Sequence, residues 1–267
     1  MKDFENKVVF ITGAAKGQGR AVALAFAKEG ANIIAFDLAK PITYPSYNST
    51  TSEDLEKLKK EIENIGSKCV VYGGDVRVEK DLFEAAKKGY EAFGKIDVLF
   101  SNAGICAYAF ADEMTESEWD TMIDINLKGG WLSAKACIPY MKEQKSGVII
   151  FNSSVGGMRG MRRLSHYAAS KWGLVGLTKS LALELAPYNV RVVSIHPTGV
   201  NTPMNDGLAQ MEGKTPEEIA EASAGNLLPV PWIEPEDVAN SVLFIASDKA
   251  KYIDGSQFVI DAGLLSV

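Results

Sequence analysis

The chain has 267 residues, 46% of them hydrophobic and 23% charged, with a formal net charge of −6. That length supports one large core, and α/β folds of roughly 200–250 residues commonly form a single domain. An acidic balance with scattered Lys and Arg, apart from a cluster at Arg159, Arg162 and Arg163, excludes a nucleic-acid surface, which needs a basic stripe.

No apolar run approaches the roughly 20 residues of a membrane helix. The polar opening before residue 7 leads straight into a strand, which predicts no secretion signal. Cys69, Cys106 and Cys137 lie far apart and form no CxxC pair, so reduced thiols in a cytoplasmic protein are expected.

Apolar, β-branched runs predict strands at 7–12, 31–37, 68–72, 96–101, 147–153, 190–195 and 257–260. Between them, helix-period stretches predict helices at 17–29, 53–65, 78–93, 115–142, 163–186 and 235–247. Runs such as Val148-Ile149-Ile150-Phe151 are continuously apolar, as parallel strands covered on both faces require. The alternation implies right-handed crossovers and one α/β domain over 1–267, a doubly wound parallel sheet with helices on both faces. Two segments break the rhythm. Residues 38–52 hold two prolines and many turn formers and read as an insertion loop; residues 198–234 are rich in Gly, Pro and Met and read as a loop serving as substrate lid. Both follow the carboxyl ends of strands, where open α/β sheets bind ligands.

Residues 12–19, Thr-Gly-Ala-Ala-Lys-Gly-Gln-Gly, join the first strand to the first helix. Spaced glycines at such a turn let the backbone approach a dinucleotide pyrophosphate, and the helix start offers unpaired N–H groups to the anion. Gly13, Gly17, Gln18 and Gly19 are therefore candidate cofactor residues. Asp37 ends the second strand, 18 residues after Gly19, where a carboxylate accepts from ribose hydroxyls and repels a 2′-phosphate. Lys16 pulls toward a 2′-phosphate, but a carboxylate aimed at the ribose outweighs a solvated ammonium, so NAD is expected over NADP.

Tyr167 and Lys171 stand four apart on one predicted helix, and Ser154 ends the fifth strand 13 residues before Tyr167. With Asn126 they could converge beside a nicotinamide. A phenol with an ordinary pKa near 10 is a poor base at neutral pH, and an adjacent ammonium, with the positive nicotinamide ring of an oxidised cofactor, favours its ionised form. Tyr167 would then exchange a proton with an alcohol whose carbon gives hydride to the cofactor. Ser154 would hold the substrate oxygen, Lys171 would also bind ribose hydroxyls, and Asn126 would order a water in a proton relay. With two histidines and no clustered ligands, no catalytic metal is expected.

These motifs resemble those of the short-chain dehydrogenase/reductase family over essentially the whole chain. The carrying residues are the 12–19 turn, Asp75-Val76, Asn102-Ala103-Gly104, Asn126, Ser154, Tyr167-Ala168-Ala169-Ser170-Lys171, and Pro197 with Thr202. The resemblance implies a Rossmann-like sheet of seven parallel strands, an Asn-Ser-Tyr-Lys tetrad and a homotetramer. It also implies that Asp75 contacts the adenine, that Asn102, Ala103 and Gly104 support the central strand beside the cofactor, and that Thr202 bonds the nicotinamide carboxamide. Pro197 and Val200 fall on the same cofactor-side segment. Three departures stand out: Ser101 replaces the first Asn of the Asn-Asn-Ala-Gly pattern, Thr198 is inserted between Pro197 and Gly199, and the 38–52 loop is long. That loop and the segments around Pro203-Met204 and Leu228-Pro229 resemble the carveol-dehydrogenase-type subgroup, some of whose members are mycofactocin-coupled and hold NAD tightly. The loop is expected to close over the adenosine half and slow cofactor exchange.

Candidate walls of the substrate site are Cys106, Tyr108, Met158, Met161, Met204, Leu208 and Met211, a flexible apolar set suited to a bulky hydrophobic alcohol. Arg159, Arg162 or Arg163 could pair with a substrate carboxylate. The expected substrate is thus an alicyclic alcohol or its ketone, a hydroxysteroid or bile acid or a monoterpene alcohol. A non-catalytic nucleotide sensor and a 3-oxoacyl-thioester reductase are the alternatives.

Overall fold

The apolar runs pair as β1 (Val8–Thr12), β2 (Asn32–Asp37), β3 (Cys69–Gly73), β4 (Val98–Ser101), β5 (Gly147–Asn152), β6 (Val190–Pro197) and β7 (Gln257–Ile260) in a computed structural model that describes residues 2–47, 50–223 and 225–266. All neighbours are parallel, in the order β3-β2-β1-β4-β5-β6-β7. The order reverses between β1 and β4, where Thr12 lies opposite Ser101, and that switch point opens a crevice at the carboxyl ends of the strands.

Alternate strand residues face opposite layers. Ile11, Ile33, Ile150 and Val193 pack with α1 (Gly17–Lys28), α2 (Ser52–Ile65) and α9 (Pro235–Ala246) on one face. Phe10, Ile34, Leu99, Ile149 and Phe151 pack with α3 (Glu79–Phe93), α4 (Glu116–Ile123), α5 (Gly129–Gln144) and α6 (Ser165–Leu185) on the other. Local chemistry sets the helix starts. Thr51 and Asp54 form a reciprocal capping box for α2, Thr115 and Glu118 form another for α4, and α9 begins on Pro235.

Two sequence expectations change. The continuous helix 115–142 divides into α4, a π turn over Asp124–Lys128, and α5. A π turn widens the helix by one residue, and such turns often mark functional sites; Asn126 sits in it. The 198–234 loop also contains α7 (Pro203–Met211) and α8 (Pro216–Ser223). Of the 38–52 insertion, Ser52 already belongs to α2, and Asn48 and Ser49 lie outside the described residues. Among the described residues, no helix is long and apolar enough to cross a membrane.

Candidate active site

The turn after β1 has Gly13 at φ +66° and Gly17 at φ +53°, backbone that only glycine adopts at little cost. A Cβ on Gly19 would sit 2.1 Å from the Gly13 carbonyl oxygen, so this glycine lets α1 close onto the turn. The first turn of α1 has no side-chain cap and no acidic residue, which leaves its N–H groups for an anion. Asn102 ties the turn to the end of β4: its Nδ2 donates to the Thr12 and Gly13 carbonyls at 3.0 and 3.1 Å.

Gly13, Lys16, Gly17, Gln18, Asp37, Asp75, Val76, Asn102, Ala103, Gly104, Tyr167, Lys171 and Thr202 line one cleft. Gly19, Pro197 and Val200 do not line it; Pro197 and Val200 are buried behind it. Asp37 is buried and accepts from the backbone N–H groups of Ala15 at 2.9 Å and Leu38 at 2.8 Å. Burial pushes its carboxyl up, against the pull of those bonds. Lys16 is paired with Asp54 at 3.3 Å, and Arg77 grips both oxygens of Asp75 at 2.6–3.1 Å. Two buried polar atoms on the cleft wall, Thr50 Oγ1 and Asn152 Oδ1, have no hydrogen-bond partner among the described residues. A cradle where a Cβ would collide and two such orphaned atoms fit a dinucleotide.

Ser154 follows β5, and its Oγ accepts the Gly156 N–H at 3.1 Å. The Lys171 Nζ donates to the Asn152 carbonyl at 2.7 Å and lies 5.5 Å from the centre of the Tyr167 ring. Burial lowers Lys171 to about 8 and raises the Tyr167 phenol, with the Ser154 side chain the one opposing influence. The amide of Asn126 is engaged: Oδ1 accepts the Ile105 N–H at 2.8 Å, while Nδ2 donates to the Ile105 carbonyl at 2.9 Å and Ser170 Oγ at 3.2 Å. The widened π turn thus braces the loop after β4 against α6.

Neither Asn152 nor His196 stands among the candidate residues read from the sequence. Asn152 Nδ2 donates to Gln18 Oε1 at 2.9 Å and Asn102 Oδ1 at 2.8 Å, joining the glycine turn, β4 and, through its carbonyl, Lys171. A polar residue closing an apolar strand run was the available signal. His196 is fully buried. Its Nδ1 lies 2.8 Å from the Ser154 carbonyl and must donate, so Nε2 accepts from Ser194 Oγ at 2.9 Å. His166 is equally buried, with Nε2 3.2 Å from the Tyr44 hydroxyl, and does not border the cleft.

Burial lowers the pKa of both histidines below 6.5, so the unfolded chain takes up their protons first as pH falls. The stability they contribute is full above that value and is lost on acidification. Thermal melts between pH 7.5 and 5.5 should show a falling Tm, with a shallower fall in His196→Gln; identical slopes in the two proteins would contradict this.

On the substrate side, Cys106, Tyr108, Met161, Met204 and Leu208 join Leu164 and Tyr167 in one apolar cluster. Met158, Arg159 and Met211 stand outside it, and Arg159 and Arg162 are exposed. Arg163 makes a bidentate pair with Glu212, at the end of α7, at 2.8 and 3.0 Å. Its guanidinium therefore ties the segment before α6 to the lid. The insertion reaches farther than the adenosine half. Leu38, Ile42 and Thr50 line the cleft, but Tyr47 crosses to the substrate cluster. Among the described residues, no group of three His, Cys, Asp or Glu side chains is placed to hold a metal ion.

The family model for short chain dehydrogenases matches residues 7–213. The chain is 41% identical to a (−)-trans-carveol dehydrogenase of Rhodococcus erythropolis, over 98% of this chain and 99% of that one. A crystal structure of a carveol dehydrogenase from Mycobacterium avium in complex with NAD superposes with a TM-score of 0.96 at 37% identity, covering 100% of both chains. A short chain dehydrogenase from Mycobacterium paratuberculosis bound to NAD gives 0.91 at 34% identity, covering 99% of this chain and 100% of that one. The chain belongs to the short-chain dehydrogenase family.

Proposed function

We propose that this protein is an NAD-dependent dehydrogenase that interconverts a neutral alicyclic secondary alcohol and its ketone. The observation that carries the reading is that Tyr167 and Lys171 line a cleft fit for a dinucleotide beside an apolar cluster, with the Ser154 side chain acting on the Tyr167 phenol. NAD would be held by the glycine turn, Asp37, Asn102, Lys171 and Thr202, and when bound it supplies a hydride acceptor.

The residues of the chain handle the proton and the oxygen. Ser154 Oγ holds the substrate oxygen, and Tyr167 takes the hydroxyl proton in oxidation and returns it in reduction. Burial favours the neutral phenol, the form that carries the proton reduction requires. In oxidation the buried Lys171 ammonium offsets the developing phenolate. Asn126 and His196 are positioning residues: one braces the loop at Ile105, and the other fixes the Ser154 carbonyl.

The substrate class follows from the wall. The cluster around Cys106, Tyr108, Met161, Met204 and Leu208 is apolar, and Arg163 is spent on Glu212. Both features favour a neutral alcohol of monoterpene size over a bile acid, in line with the carveol dehydrogenase relative. Exposed Trp131, Trp172 and Leu183 on α5 and α6 support assembly into a homotetramer, which a monomeric sedimentation coefficient would exclude. The buried, unpaired cysteines fit a cytoplasmic setting.

The test is NADH formation across carveol, cyclohexanol, a 3-hydroxysteroid, and a bile acid with its methyl ester. Turnover of the neutral alcohols is expected, with the methyl ester at least as good as the acid. NAD binding without turnover of any secondary alcohol would instead favour a nucleotide sensor.

A further inference from the structure

We infer that Tyr47, carried on the 38–52 insertion, is a specificity-determining residue of the alcohol site. The inference rests on the dehydrogenase reading above and deepens it by naming what sets the size of the pocket.

The Tyr47 hydroxyl donates to the Cys106 carbonyl at 2.6 Å and accepts the Cys106 N–H at 3.1 Å. The phenol oxygen is therefore anchored to the backbone of a residue 59 positions away. The ring is held from the other side by α7, where a Cβ on Gly207 would lie 2.1 Å from Tyr47 Cγ. Only a residue without a side chain lets the lid helix and the insertion approach so closely. Between these contacts the ring joins the apolar cluster of Met204, Leu208 and Tyr167, and it lines the same cleft as Tyr167 and Lys171. Burial pushes the Tyr47 phenol well above its usual value, so the wall stays uncharged.

An aromatic ring pinned at its hydroxyl and backed by a helix is a fixed boundary, not a flexible filler. Its place beside Tyr167 limits how much alcohol extends past the reacting carbon toward the lid. Removing it takes contact away from a small ring and makes room for a large one. In an apolar pocket even one methylene changes discrimination by roughly 10–200-fold.

The experiment compares kcat/KM for cyclohexanol and for 4-tert-butylcyclohexanol in the full-length protein and in Tyr47→Ala, Tyr47→Phe and Gly207→Ala. Tyr47→Ala should raise the bulky-to-small ratio by about tenfold or more. Tyr47→Phe keeps the ring and should hold the ratio within about threefold of the parent protein. Gly207→Ala leaves Tyr47 in the sequence but puts a methyl group where its ring lies, so it displaces the ring and should also move the ratio, in either direction, by more than about threefold. It also decides the matter if Tyr47→Ala fails to fold. An unchanged ratio in both alanine variants overturns the role of Tyr47 and leaves the dehydrogenase reading standing. A parent protein inactive on every alcohol overturns both.

Discussion

Replacing Tyr167 with Phe lowers kcat for alcohol oxidation by about 10²–10⁴-fold, the usual worth of a positioned general acid or base, while NAD affinity stays within about threefold. The substitution keeps the ring that packs in the Cys106–Leu208 cluster and removes one oxygen. Lys171 keeps its bond to the Asn152 carbonyl, and Ser154 keeps its bond from Gly156, so the surroundings lose little. Steady-state rates with NAD, read beside a fluorescence titration of cofactor binding, separate the two effects. A kcat near that of the parent protein would mean that the proton leaves by another group.

The second large effect is expected at Asp37. Its carboxylate is buried, fixed by the Ala15 and Leu38 N–H groups, and faces the cleft beside the orphaned Thr50 hydroxyl. A 2′-phosphate brought there meets a like charge with little water to screen it, a juxtaposition that costs several kcal/mol. Lys16 is engaged by Asp54 and offers little relief. In Asp37→Ala the ratio of kcat/KM with NAD to that with NADP should therefore fall by about a hundredfold or more. Relief of that repulsion should appear as a gain with NADP, accompanied by a smaller loss with NAD as the ribose loses its acceptor. A ratio unmoved within about threefold would place cofactor choice elsewhere in the cleft.

Much of this architecture is legible in the chain because the buried strands are mostly apolar runs and helices such as α2 and α3 are amphipathic. Those patterns are local, and the seven strands fall within a few residues of their expected bounds. The glycine turn is legible for the same reason, since its three glycines fall within one short window, whereas Asp37 and Asn102 reach it from 22 and 90 positions away. The helices inside 198–234 were obscured by their prolines. Yet Pro203 and Pro216 both stand at helix starts, and Thr215 with Glu218 forms a capping box that a search for Thr-x-x-Glu would find. What no local pattern could supply is the long-range pairing: Tyr47 with Cys106, Arg163 with Glu212, and His196 with Ser154. Each joins segments more than 40 residues apart.

The most direct test is a crystal structure of the Tyr167→Phe protein with NAD and cyclohexanol, a combination in which turnover is too slow to consume the alcohol. The alcohol oxygen should lie within hydrogen-bond reach of Ser154 Oγ and against the ring edge at position 167, with its carbon facing the nicotinamide. An alcohol lodged elsewhere, or an oxygen held by other groups away from both side chains, would contradict the assignment of the proton step to this pair.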